Sequence, residues 1–169
     1  MATLRDLTVT VESLATFPRV LATYFRSVPP HGRHWRPSSW DGIPSERLTA
    51  VEQVWHVRDV EIEGYRVRIA RTLTETCPDL PDLPGESMAQ GRGYANADPE
   101  LALREFADAR AATVRAISGL TETELRRPAI FEGRRTTLAG LVHFLASHDC
   151  QHLAGLQWLL AKLESASVG

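Results

Sequence analysis

The sequence predicts an all-α fold, a four-helix bundle with a long irregular connection between its second and third helices. Three observations carry this. Apolar residues recur at threes and fours over four long stretches, a proline- and glycine-rich segment from Cys77 to Ala97 interrupts them, and no alternation of strand and helix periods appears. With 169 residues there is room for one domain with a real core, and residues 1–169 are expected to form a single domain.

The first helix is expected from Leu7 to Ser27, with Leu7, Val11, Leu14, Leu21, Tyr24 and Phe25 on one face and Pro18 as a kink or restart. Pro29-Pro30-His31-Gly32 ends it, and the stretch to Pro44, with Trp35 and Trp40, reads as a loop with aromatic anchors in which His31 and His34 are solvated. Thr49 and Glu52 match a capping box and open the second helix, which runs to about Glu75 through Val51, Val54, Trp55, Val60, Val67 and Ile69. Pro78, Pro81, Pro84, Gly85, Gly91 and Gly93 exclude regular structure over most of the next connection, which loops of this length often use as functional covers. Asp98-Pro99 is an N-cap with proline at the first helical position, and the third helix follows to Gly119. Thr121 to Glu124 suggests a short helical turn, and Ile130 to Thr136, centred on Glu132-Gly133, a turn or small hairpin. Thr137 then caps a fourth helix to about Glu164.

The fourth helix carries the most informative feature, His148-Asp-Cys-Gln-His152. Two histidines four apart lie on one helical face, in phase with Leu141, Leu145, Gly155, Leu156, Leu159 and Leu163, and so point into the core. Buried imidazoles need partners for every ring nitrogen, which a divalent metal and an outer acceptor supply together; hydrogen bonds to neighbouring helices are the plainer alternative. In a bundle a third ligand comes from a facing helix, and His56 on the second helix offers one. It is in phase with Glu52, Asp59, Glu63 and Val67; Glu52 and Glu63 read as a solvated acidic edge. Asp59 is placed to orient an imidazole, act as a base or coordinate, with a surface salt bridge as the ordinary reading. Cys150 lies on another face, where packing is the default, and Cys77 and Cys150 are expected as free thiols. The motif has the outline of His-Glu-x-x-His, but aspartate is one methylene shorter than the general base of that motif and only Glu164 offers a downstream ligand, which argues against a peptidase.

The formal charge of −2, with arginines scattered among acids, gives no case for nucleic acid. No 18-residue apolar run is free of charge and no signal-peptide core opens the chain, so no membrane segment and a cytoplasmic location are expected. Lys162 is the only lysine in an arginine- and alanine-rich composition of the kind GC-rich coding produces.

Trp55-His-Val-Arg-Asp59, a long bundle connection and then His148-Asp-Cys-Gln-His152-Leu resemble the DinB-like, YfiT-like metalloenzyme superfamily, from about Leu7 to Leu163, and the loop with Trp35, Arg36, Pro37 and Trp40 resembles that family's entry to the second helix. The resemblance implies an up-down-down-up bundle, a metal held by His56, His148 and His152, and a homodimer; His143 matches no ligand position and is left to packing or an interface. Three neutral imidazoles favour an anionic fourth ligand and activate a bound thiol or water. Some members of that superfamily are thiol-dependent transferases or isomerases. The expectation is therefore a metal-dependent thiol S-transferase or isomerase acting on a small electrophile, with zinc, nickel or iron and a low-molecular-weight thiol such as mycothiol. Asp59 or Asp149 would orient a ligand or handle a proton, and the loop around Gly85 to Tyr94 would border the substrate. The alternative is a non-catalytic, metal-stabilised or metal-sensing bundle that works through a partner.

Overall fold

The computed structural model describes residues 4–167. Helix α1 (Leu4–Ser27) passes through Pro18 without interruption. The second long helix is α2 (Ala50–Asp59), a π-helical stretch (Val60–Tyr65) and α3 (Arg66–Thr74) in unbroken succession. Thr49 closes its N-terminus with the expected capping box: the Thr49 amide donates to Glu52 Oε2 at 2.8 Å and the Glu52 amide to Thr49 Oγ1 at 3.4 Å. Helix α5 (Pro99–Ser118) starts at the Asp98 cap and α7 (Leu138–Ala166) at the Thr137 cap. Among the described residues no helix is long and apolar enough to cross a membrane.

The connection between the second and third long helices is more regular than its prolines and glycines suggest. It holds β1 (Asp79–Leu80), α4 (Gly85–Gly91) and a 3-10 turn (Tyr94–Asn96). After the short α6 (Glu122–Leu125), β2 (Pro128–Phe131) and β3 (Arg134–Thr137) form the expected hairpin, and β1 pairs parallel to β2 to make a three-stranded sheet. Glu132 and Gly133 both have positive φ, as a two-residue hairpin turn requires.

Around the bundle, α1 packs on α5 and α7, and α2 packs on the same two, so the first two long helices face each other across the core with few contacts. The core has two apolar halves. Phe17, Leu21, Phe25, Val54, Phe106 and Leu156 belong to one, and Leu14, Ile69, Ile117, Leu138, Leu141 and Leu145 to the other. Between them, on every long helix except α1, the inward positions are polar: His56 and Glu61, Arg110, and Asp149 and His152, all buried.

The π stretch explains one departure from the sequence reading. It adds one residue to a turn and rotates all that follows by roughly 100°. Val67, expected inside, is 46% exposed, whereas Glu61 and Arg68 are buried. Glu52 also departs from the solvated edge: it is buried by its cap and by Arg36, 2.7 Å away, while Glu63 is exposed as expected. Cys150, expected to pack on another face, is exposed, as is Cys77, and both are free thiols. His31 and His34 are exposed, and His143 contacts Thr10 of α1 at 3.1 Å.

Arg110 crosses the core. It donates to Asp149 at 2.6 and 2.9 Å, to Glu61 at 3.0 Å and to the Leu14 carbonyl at 3.2 Å, tying α5 to α7, the π stretch and α1. Burial alone would favour its neutral form, but Asp149 and then Glu61 outweigh that and hold the guanidinium charged. Replacing Arg110 by methionine keeps most of the volume and leaves two carboxylates buried without a counter-charge. Arg110→Met is expected to lose about 3–5 kcal/mol of stability in urea denaturation; a loss within the error of the measurement would contradict this role.

Candidate metal centre

His56 sits one turn before the π stretch, and His148 and His152 sit one turn apart in the middle of α7. The helices bring the three side chains together so that one ligand atom from each lies within 4.8 Å of the others. His56 and His152 are buried and His148 is half-buried. The Nε2 atoms of His56 and His148 face each other at 3.3 Å.

The tautomer of His152 follows from its surroundings. Gln53, one turn before His56, directs its amide nitrogen to Ser45 Oγ at 2.8 Å and to the Leu48 carbonyl at 3.4 Å, which turns its carbonyl oxygen toward His152. His152 Nδ1 therefore donates to Gln53 Oε1, and in the neutral ring the lone pair is on Nε2. That Nε2 is buried without a hydrogen-bond partner. An outer amide that fixes the ring and an inner lone pair with nothing to bind are what a metal ligand has.

Two glycines make room. A Cβ at position 155 would lie 2.4 Å from Ser45 Oγ and 2.8 Å from Gln53 Nε2, and one at position 85 would lie 2.6 Å from His56 Cε1 and 2.9 Å from its Nδ1. Any side chain at either position would displace Gln53 or His56. Gly85 thus brings the start of α4 against the His56 imidazole, whose Nδ1 is left without a partner.

The two aspartates proposed from the sequence for ligand orientation or proton handling are engaged elsewhere. Asp59 is buried and accepts from Arg58, from Arg92 at 2.6 Å and from the Tyr94 hydroxyl; it does not reach His56 Nδ1. Asp149 is held by both Nη atoms of Arg110. The carboxylate beside the histidines is Glu46, which the sequence reading missed. Its oxygens lie 3.5 Å from His56 Nε2 and 3.2 Å from His152 Nε2. It comes from the irregular segment before α2, where no periodicity indicates direction; the only signal was its nearness to the Thr49 cap.

A cavity of about 260 Å³ opens onto the site. Glu46, His56 and His148 line it with the rings of Tyr65, Phe131 and Phe144. Arg68 also lines it, its guanidinium 4.7 Å from the Tyr65 ring centre and 4.5 Å from that of Phe131. Of the long connection, Asp82 and Leu83 border this cavity, and Gly85 touches the site itself.

The matching family model is that of the DinB superfamily, over residues 13–156, and the chain belongs to that superfamily. Among solved structures it is similar to YfiT from Bacillus subtilis, described as a probable metal-dependent hydrolase with an unusual four-helix bundle topology. The TM-score is 0.84 at 17% identity, covering 97% of this chain and 91% of that one. No curated protein sequence matches. The three-histidine cluster fits a divalent transition ion on its own geometry: nitrogen donors, one of them a buried lone pair with a fixed tautomer.

Burial and then His152 lower the pKa of His56, against the opposing effects of Glu46 and Asp59, to about 4. Burial, followed by His152 and His56, also holds His148 well below the ordinary histidine value. These two imidazoles are thus kept in the neutral form that can bind metal. In metal-free protein at pH 5.5, nitrogen-detected NMR is expected to show His56 and His148 neutral, where an ordinary histidine is mostly charged. The unfolded chain takes up these protons near pH 6.5. The contribution of His56 to stability is therefore complete above that pH and is lost as pH falls through about 4, and that of His148 is lost in the same direction. Charged imidazoles at pH 5.5 would contradict this.

Proposed function

We propose that this DinB-superfamily protein uses a divalent transition ion held by His56, His148 and His152 to transfer a small thiol to a small electrophile. The observation that carries the reading is the meeting of three imidazoles and one carboxylate beside a cavity large enough for a small molecule, with Glu46, His56 and His148 in its wall. A bound ion supplies Lewis acidity, which makes a thiol or water acidic at neutral pH.

The chain's own groups do the rest. Gln53 holds His152 in the ligating tautomer. Glu46 stands beside two of the ligand nitrogens and accepts the proton that the thiol gives up. Tyr65, Phe131 and Phe144 offer aromatic faces to an apolar electrophile and limit water around it. Zinc, nickel and iron all suit such nitrogen donors, and mycothiol or another low-molecular-weight thiol is the proposed co-substrate. Water in place of the thiol would make the same site hydrolytic, the activity named in the description of YfiT.

A second reading, a metal-stabilised bundle that works through a partner, is favoured by a groove of about 650 Å³ between α1 and α5. Ala15, Ala22, Ala107 and Ala111 line it, with Arg19 and Arg104 beside them.

The test is turnover by zinc- and nickel-loaded protein with cysteine, glutathione or mycothiol against a bromobimane and a chloronitroarene, with an activated ester as the thiol-free control. Metal-dependent conjugate formation that falls to background in His148→Ala is expected. Ester hydrolysis alone would select the water reaction. No turnover, together with a large metal-induced rise in Tm, would select the partner reading.

A further inference from the structure

We propose that Glu46 is a fourth protein ligand of the metal, a carboxylate arm that closes the site at rest and gives way to the donor atom of the substrate. This rests on the reading of the three histidines as a metal centre.

The spacing is the first argument. Two donors each about 2.1 Å from one cation stand about 3.0 Å apart at right angles and about 3.4 Å apart in a tetrahedron. His56 Nε2 and His148 Nε2 are separated by 3.3 Å, Glu46 Oε1 and His56 Nε2 by 3.5 Å, and Glu46 Oε2 and His152 Nε2 by 3.2 Å. One carboxylate oxygen thus stands as far from His56, and the other as far from His152, as His56 stands from His148.

The second argument is chemical. With Nδ1 directed at Gln53 Oε1, His152 turns Nε2 toward Glu46 Oε2, 3.2 Å away, and the geometry makes no hydrogen bond between the two atoms. A cation satisfies both at once.

The third is that the arm is built. Ser45 Oγ accepts from Gln53 Nε2 at 2.8 Å and donates to the Glu46 carbonyl at 3.1 Å, so the amide that sets the His152 tautomer also anchors the residue beside Glu46. The missing side chain at Gly155 makes that anchor possible. Elsewhere in the chain glutamates pair with arginine: Glu52 with Arg36, Glu63 with Arg92, Glu86 with Arg47 and Glu105 with Arg58. Among the described residues the only ionic partners of Glu46 are His56 and His152.

The histidines ride on helices, whereas Glu46 hangs on an irregular segment with 36% of its side chain exposed. It can leave while they stay. A site closed by four protein donors is inert, and one with an open position is catalytic; Glu46 converts one into the other. A bound ion would supply the Lewis acidity that makes a thiol acidic, and Glu46, once displaced, would stand within reach to take the S–H proton, so that the exchange would need no oxidant or reductant.

The probe is cobalt(II) on full-length wild type, Glu46→Gln and His148→Ala, with the dissociation constant read by chelator competition and the coordination by visible absorption. Circular dichroism checks that Glu46→Gln keeps its helices. The expected result is binding at least about tenfold weaker in Glu46→Gln, with a changed cobalt spectrum. Affinity within about twofold of wild type and an unchanged spectrum, with binding lost in His148→Ala, would overturn the fourth ligand and leave the three-histidine centre standing. Wild type that takes up no cobalt would overturn both.

Discussion

The close approach of Gln53 and Ser45 to helix α7 at Gly155 is the constraint on which the rest of the site depends. Position 155 has no side chain, so the Gln53 amide reaches Ser45 and His152 together. That contact orients the amide, the amide sets the imidazole tautomer, and the tautomer leaves a lone pair aimed at His56, His148 and Glu46. A methyl group at this one position would separate the loop, α2 and α7 where they must meet. The functional geometry is therefore encoded as much by the absence of atoms at Gly155 and Gly85 as by the histidines.

The polar layer has to be held in place against a cost. Between two apolar halves the bundle buries Glu61, Arg110 and Asp149 beside the histidine pair of α7, and burying charges is unfavourable unless each is paired. Arg110 pairs with both carboxylates and a backbone carbonyl of α1. Because Asp149 adjoins His148 in sequence, locking its carboxylate locks the rotation of α7 and hence the direction of both imidazoles. On the other side of the site Asp59 does similar work, gathering Arg58, Arg92 and Tyr94 and pinning the connection that follows α4. The aspartates that flank the histidines in sequence thus serve to aim them.

Much of this was legible in the sequence for a definite reason. His148 and His152 share a face because their spacing matches the helical period. His56 could be placed opposite them because Thr49 and Glu52 fix where its helix begins. The DinB superfamily membership agrees with that pattern. Beyond residue 60 the π stretch changes the period: Ile69 is buried as expected, but Val67 turns outward and its neighbour Arg68 inward. Helix α4 was hidden because glycine and proline mark its ends rather than its interior, and β1 because two residues make no pattern without the hairpin they pair with. Glu46 was beyond reach for a different reason. A side chain on an irregular segment has no phase, and only the fold shows where it points.

The most direct measurement is the metal content of untagged wild type, His56→Ala and His148→Ala by inductively coupled plasma mass spectrometry. About one equivalent in wild type, lost in both variants, is the expected result, since the ligands come from two helices and neither alone completes the site. Wild type that carries no metal and takes none up on reconstitution would contradict the account and reduce the three imidazoles to a buried polar network.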